Sequence, residues 1–379
     1  MRRSARRTTI ADVARAASVS KSAVSFAFNT PERLNAETAS RIRAIAADLN
    51  YRPDPVARML AQRRTGTIGI LTPQGLDVMF TNPYFGSFVG GIATAAEAAD
   101  YTLQFISPLR GSLIRAVHQA SIDGFVAYGL SADHPEIGQV RQSGLPFVLV
   151  DSTALPEEAS VSVDDEVGAR SAADYLIEMG HRSFAILAFE PPLHGAADAS
   201  AARAFSRRPA QPDVTGAEAD ADNASARRMR GYLAALHDAG IELADVAVAY
   251  AASTLAQGAA AFRDLYAAGL RPTAVLAMSD ALAIGVLRAA RELELRVPDE
   301  LSVVGFDDID IAAFTDPPLT TVHQPGRLKG DAAMRLLLGR LQHREAEGSP
   351  PRRLATKLIV RGSTGCGPGS RQEVAPPAV

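Results

Sequence analysis

Apolar residues recur with a helical period at the start of the chain and in short strand-like runs further on. Ile10, Val13, Ala14 and Ala17 fall at i, i+3, i+4 and i+7, the spacing of one face of a short helix that ends near Ala17. Ser18 and Val19 read as a turn and Ser20 as the N-cap of a second helix; Val24, Ala27 and Phe28 form the inward face of that helix, and Asn29 closes it. A third helix starts after Asn35, with Ile42, Ile45, Ala46 and Leu49 on one side. Helices this short do not persist alone in water, so the spacing predicts three of them sharing one small core.

Three helices of this size with a tight turn between the first two describe a helix-turn-helix domain. Phase along its second helix sets one residue apart. With Val24 as the inward direction, a rotation of about 100° per residue brings Ala27 and Phe28 within about 60° of it and puts Phe26 about 200° away, beside Ser22 and Asn29. A large outward aromatic needs a partner: either a DNA base edge or thymine methyl, or the segment that follows, or another chain. That segment, YRPDPVARMLAQRRTG, has Asp54 as an N-cap, Pro55 at the first helical position and about two turns of helix up to Leu60. Two turns form only against a partner, which predicts a hinge that is helical when bound.

Beyond residue 66 the runs TIGILT, TLQFIS, GFVAYG and PFVLVD, then SFAILA, VAVAY, AVLAM and LSVVGFDD, alternate with helical patterns. Alternation of this kind predicts parallel sheets covered by helices, and two groups of strands predict two doubly wound lobes with a ligand cleft at the strand ends.

Charge changes the picture most. Residues 1–65 hold 13 Lys and Arg against 5 Asp and Glu, a surplus of +8, whereas the remainder holds 26 against 37, or −11. A basic head on an acidic body suits a nucleic-acid-binding module, because fixed cations release counterions from phosphates. The single Cys366 excludes a disulfide framework within the chain, and a reducing cytoplasm is the expectation. No apolar core of a signal peptide follows Arg2, Arg3, Arg6 and Arg7, and no run suits a membrane span. No dinucleotide, P-loop, nucleophile-elbow or zinc-protease motif occurs, and the seven histidines are scattered, His181 marking a helix end. The reading is therefore not an enzyme, and it calls for no cofactor and no metal.

Residues 9–29 (TIADVARAASVSKSAVSFAFN), with AETASRIRAIAADLNYRPDPVARMLAQRRTGTIGIL after them, resemble the lactose-repressor (LacI/GalR) family. The likeness continues through NPYF, SIDGF, SVDDEVGAR, YLIEMGHRSFAIL, RRMRGY, AMSDALAIGVL, PDELSVVGFDD and PPLTTVHQP. It implies a helix-turn-helix DNA-binding domain (1–52), a hinge helix (53–65), a periplasmic-binding-protein-like effector and dimerisation domain (66–362) and a tail (363–379) with the composition of a disordered end. The effector domain would comprise one lobe of about 66–162 and 325–353 and another of about 163–323 and 354–362, with crossings near 163, 324 and 354. Residue by residue, the resemblance assigns base reading to Lys21, Ser22 and Phe26, and brings Thr9, Ser20, Ala23, Ser25, Asn29 and Tyr51 to the DNA side. It places Ala57 and Arg58 in the hinge contact and makes Leu60 the wedge in the minor groove.

On the effector cleft it places Phe85, Asp164, Arg228, Ser279, Asp307 and Gln324, with Asp280 close by. Strand-end carboxylates there can accept ligand hydroxyls and Arg228 supplies a fixed cation, or they cap helices and pair among themselves. The chain departs from the family at Ser18 for a turn glycine, Phe26 for a frequent arginine, Asp54 for a hinge asparagine and Ser279 for an asparagine. With no tryptophan, and Ser253 where a stacking aromatic often stands, stacking on a sugar falls to Phe80, Tyr84 or Phe85. The insertion at 190–225 reads as a mobile loop, either a lid or a loop with no role. The implied partners are double-stranded operator DNA, a small-molecule effector of the sugar class and a second copy of the chain, with no membrane. A transporter's solute-binding protein would account for the body but not for the basic head.

Overall fold

The computed structural model describes residues 8–53, 64–130, 134, 136–152, 158–189, 223–342 and 352–368. The chain divides into two compact units, Met1–Gly66 and Thr67–Val379.

In the first unit, α1 (Ile10–Ala16), α2 (Lys21–Asn29) and α3 (Ala36–Asp48) pack around Val13, Ala14, Ala17, Val24, Ala27, Ile42 and Ala46. The start of α2 is fixed by Ser20, whose Oγ accepts from the Ala23 amide at 3.1 Å, and that of α3 by Asn35, whose Oδ1 accepts from the Glu37 amide at 2.9 Å. Helix α3 also closes the ends of the other two, since Arg41 donates to the Ala17 carbonyl and Arg43 to the Ala27 carbonyl. Ser18, in the turn between α1 and α2, has φ +53°, the conformation that a glycine adopts most readily. A short 3-10 turn, Pro31–Arg33, joins α2 to α3 and has no apolar period by which to announce itself.

The second unit is built on two six-stranded sheets. The strands are β1 (Thr67–Leu71), β2 (Thr102–Ile106), β3 (Gly124–Tyr128), β4 (Phe147–Val150), β5 (Ser160–Val163), β6 (Phe184–Phe189), β7 (Ala247–Ala251), β8 (Ala274–Ala277), β9 (Ser302–Asp307), β10 (Thr320–His323), β11 (Arg352–Leu354) and β12 (Lys357–Ile359). Strand order is β11-β5-β4-β3-β1-β2 in one sheet and β12-β10-β9-β8-β6-β7 in the other. All pairings are parallel except β12 with β10. The helices between them are α4 (Leu76–Met79), α5 (Pro83–Ala98), α6 (Leu113–Gln119), α7 (Ile137–Arg141), α8 (Asp165–Glu178), α9 (Ala224–Asp238), α10 (Leu255–Ala267), α11 (Asp280–Glu292) and α12 (Gly326–Leu341).

Each sheet is sandwiched between apolar layers on both faces, which explains its continuous apolar runs. Ile68, Ile70, Val126 and Val148 pack against α5 and α12, while Phe125, Ala127 and Leu149 face α6 and α7. In the other sheet Val275, Ala277 and Val303 face α10 and α11, and Ile186, Leu276 and Phe306 face α8 and α9. The chain passes between the sheets after β5, between β10 and α12, and between β11 and β12. Helix α12 therefore follows a strand of the second sheet but packs on the first. It lies close on α5 because of two glycines: a Cβ at Gly91 would meet the Arg327 carbonyl and one at Gly330 the Phe88 carbonyl, at separations no side chain tolerates. That close approach puts Lys329 against the strand ends.

Candidate functional site

The outward side of α2 carries Lys21 and Ser22, both exposed, with Ser25, Phe26 and Asn29 half-exposed. Ser25 Oγ accepts from Asn29 Nδ2 at 3.2 Å, one helical turn along. Phe26 is outside the core, and its ring lies 5.4 Å from the Arg33 guanidinium carbon. Among the described residues its contact thus lies in its own unit, a cation over an aromatic face. Phe28 packs inward, edge to face with Tyr51 at 5.9 Å between ring centroids, which ties the Tyr51 ring to the rim of the core. Thr9 is a cap, its hydroxyl and amide both donating to Asp12 Oδ2; Ser20 is the cap already described, and Ala23 packs against the core. Ala57, Arg58 and Leu60 lie outside the described residues, as do Asp54 and residues 190–222 of the insertion.

The second unit holds a cavity of about 400 Å³ at the carboxyl ends of both sets of strands. Tyr128, Asp151, Phe189, Ser253 and Asp307, at or just past strand ends, line it together with Tyr84, Phe85, Arg228 and Gln324. The guanidinium carbon of Arg228 lies over the Phe306 ring, 3.6 Å from its centroid; Arg228 donates through Nε to Asp165 Oδ1 at 2.9 Å and through Nη1 to the Met278 carbonyl, and stands 3.8 Å from Asp307. Burial alone would lower its proton affinity, but Asp165 and Asp307 outweigh that and hold it above the usual guanidinium range. Asp307 ends β9 with φ +124° and accepts from Gln324 Nε2 at 2.5 Å. Burial pushes its carboxyl up to about 6 against the opposing pull of Arg228. Its Oδ2 is buried with no hydrogen-bond partner, as is the Tyr84 hydroxyl, and burial also raises the Tyr84 phenol well above its usual value. Two orphaned polar atoms in one aromatic-walled cavity mark places where a ligand's polar groups would be satisfied.

Four of the six residues assigned to the cleft line it: Phe85, Arg228, Asp307 and Gln324. Asp164 does not. It begins the crossing from β5, where its amide donates to the Leu354 carbonyl and its carboxylate pairs with Arg353 at 3.6 Å. Its neighbour Asp165, the first residue of α8, is fully buried and takes Arg228 and Arg227 instead. Ser279 is buried behind the wall as the N-cap of α11; its hydroxyl bonds Ser253 Oγ at 2.8 Å and accepts from the Leu282 amide. Asp280 is structural, receiving Thr321 Oγ1 and the Ile309 amide. Of the stacking candidates Tyr84 and Phe85 line the cavity, while Phe80, 53% exposed, braces Phe85 and Phe105 edge to face. Tyr128, Asp151 and Phe189 escaped sequence reading, although Asp151 ends its apolar strand as Asp307 does.

Among the described residues no cluster of His, Cys, Asp and Glu could hold a metal ion, and no helix is long and apolar enough to cross a membrane. Residues 9–54 match the bacterial regulatory proteins of the lacI family and residues 173–364 the periplasmic binding protein-like domain. The HTH-type transcriptional regulator CelR of Thermobifida fusca is 31% identical over 94% of this chain and 98% of its own length. A solved complex of the transcriptional regulator CelR with cellobiose has a TM-score of 0.66 at 27% identity, covering 94% of this chain and all of that one. A lac repressor dimer bound to operator and an anti-inducer has a TM-score of 0.76 at 24% identity, over 95% of this chain and all of that one, a likeness of fold.

Proposed function

The chain belongs to the lacI family of bacterial transcriptional regulators, which are not enzymes, and from that premise we propose that it is a repressor that binds a palindromic operator as a dimer under the control of a sugar-class effector. The observation that carries the effector half is the pairing of Arg228 with Asp307, whose Oδ2 is buried and unpartnered beside the Tyr84 hydroxyl and the Phe85 and Tyr128 rings. An uncharged hydroxyl group donates to such an oxygen, and the aromatic faces cover the apolar side of a sugar ring. Ser253, with Ser279 behind it, offers a hydroxyl where a further ligand contact would fall.

The DNA half rests on Lys21, Ser22 and Phe26 on the outer side of α2, with Ser25 and Asn29 next to them and the basic excess of the first 65 residues around them. Thr9, Ser20 and Ala23 border that face, and Tyr51 braces it. Ala57 and Arg58 would contact the backbone and Leu60 would enter the minor groove, paired with the same hinge of a second copy. Effector binding would alter how the two lobes close and so the spacing of the two hinges. Operator and effector affinities would then change by the same factor.

Selection of bound sites from a random DNA pool, followed by a screen of small molecules for loss or gain of binding, tests the whole reading. A palindromic consensus whose affinity falls steeply with salt and responds to one small molecule is the expected result. Sites without two-fold symmetry would overturn the dimer, and indifference to every ligand would overturn the effector.

A further inference from the structure

Lys329 is a fully buried ammonium on α12, a position that sequence reading did not single out. All three of its N–H donors are used, at 2.9 and 2.7 Å to the two oxygens of Asp151 and at 2.9 Å to Oε1 of Gln324. An ammonium only donates, so the oxygen end of the Gln324 amide must face it. The amide nitrogen is thereby turned onto Asp307 Oδ1, and Oδ2 is left as a free acceptor. A polar relay thus runs from a strand end of the first sheet, Asp151, through α12 and the chain crossing to a strand end of the second, Asp307.

The same arrangement sets the charge of the cleft. Lys329 is matched by Asp151, Arg228 by Asp165 and Asp307, and Arg227 by Asp165 at 3.2 Å. Among the described residues these are three cations against three carboxylates, each cation paired within the protein. Among the described residues that line the cavity, the unmet capacity is that of an acceptor, at Asp307 Oδ2, and of the Tyr84 hydroxyl. Among the described residues an incoming anion would meet no unmatched cation and would face a carboxylate; an incoming hydroxyl would complete it.

We propose that Lys329 is a positioning residue that makes the cleft select an uncharged, hydroxyl-bearing ligand and reject the corresponding phosphate ester or acid. The proposal rests on the reading of this cleft as the effector site. Calorimetric titration of the full chain with ribose, cellobiose and other neutral saccharides and nucleosides, each beside its phosphate ester or uronic acid, tests it. The tightest neutral compound is expected to exceed its anionic counterpart by more than about 100-fold. An anionic compound that binds as tightly as its neutral parent overturns the selectivity and leaves the effector site standing. Silence from every compound overturns the effector reading itself, and the selectivity with it.

Lys329→Met combined with Asp151→Asn removes both charges, so that neither is left buried alone. The neutral ligand should then bind more than about tenfold more weakly. The acid limb of its pH profile should also move to higher pH, because Gln324 and Lys329 both hold down the proton affinity of Asp307. The other groups around Asp307 are unchanged: Arg228 on α9, Asp165 on α8, Asp280 on α11, and the phenols of Tyr84, Tyr128 and Tyr232. Gln324→Leu cuts the relay and takes one acceptor from Lys329 but keeps both charges of the buried ion pair, and must shift the limb in the same direction. Wild-type affinity and an unmoved limb in either folded variant overturn the role of Lys329.

Discussion

In the first unit Ser20 caps α2 by reaching three residues along, Asn35 caps α3 by reaching two, and Thr9 pairs with Asp12. In the cleft of the second unit Lys329 reaches Asp151 across 178 positions and Arg228 reaches Asp165 across 63. The first surface is assembled by neighbours and is exposed to water; the second is assembled by topology and its charged groups are buried. An exposed face tolerates substitution at small cost because water satisfies whatever a partner leaves. A buried cluster does not, since each buried charge holds its neighbour's charge in place. Altering the cleft should therefore disturb both fold and ligand binding, whereas altering the outer side of α2 should change recognition alone.

Arg228→Met is the most severe break of this contrast. It leaves Asp165 with Arg227 alone and Asp307 beside a thioether, and a loss of about 3–5 kcal/mol follows from stranding buried charge. Urea unfolding should register that loss, and the effector identified by screening should bind more than about 100-fold more weakly. A stable variant with intact ligand affinity would mean that the guanidinium is dispensable to the cleft.

On the exposed side, Phe26→Arg should leave the unfolding midpoint nearly unchanged. The lost contact with Arg33 is a partly exposed one, worth about 0.5–1 kcal/mol. Site selection with this variant should instead change the preferred base at one position of each half-site, by about 1–3 kcal/mol in favour of guanine. If the variant unfolds, Phe26 belongs to the core after all.

Titration distinguishes the two regions more gently. Asp307, raised to about 6 mainly by burial, disfavours the fold in its ionised form. Its contribution to stability is therefore complete below about pH 4 and is lost as pH rises through about 6. Ligand affinity runs the other way, because a donated hydroxyl needs the carboxylate: it should fall about tenfold from pH 7 to pH 5. Asp307→Asn should bind more weakly and show a flat profile in that window; a limb equally steep in the variant would assign the titration to another group.

How much of this was legible in the sequence follows the same division. The helices of the first unit announce themselves through caps and a 3.6-residue period, and eight of the twelve strands through apolar runs whose observed ends differ by no more than one residue. Strands β5, β10, β11 and β12 are three or four residues long, flank the crossings and carry serine, threonine, arginine or lysine, so hydrophobic periodicity has too little to count. Arg228 and Asp307 could be found because they sit in motifs. Asp164 and Asp165 could not be told apart, because one step in a DD pair decides which carboxylate turns toward α9, and that depends on helix α8 starting at Asp165. Lys329 gives no local sign at all: in its own helix it reads as a solvated lysine, and only the crossing of α12 to the first sheet buries it.

The smallest effect concerns the turn that the opening pattern identified. Ser18 sits at φ +53° between α1 and α2, a conformation in which its Cβ crowds the backbone, whereas glycine pays no such penalty. Ser18→Gly should relieve that strain but also gives the unfolded chain more freedom, and the two terms oppose each other. Relief of the left-handed strain is worth about 1–2 kcal/mol and the added freedom costs about 1 kcal/mol, so a net gain of no more than about 1 kcal/mol is the outcome. Thermal unfolding of the first unit should shift upward by a few degrees with effector affinity unchanged. A loss of stability would mean that the serine hydroxyl contributes more to the turn than its backbone strain takes away.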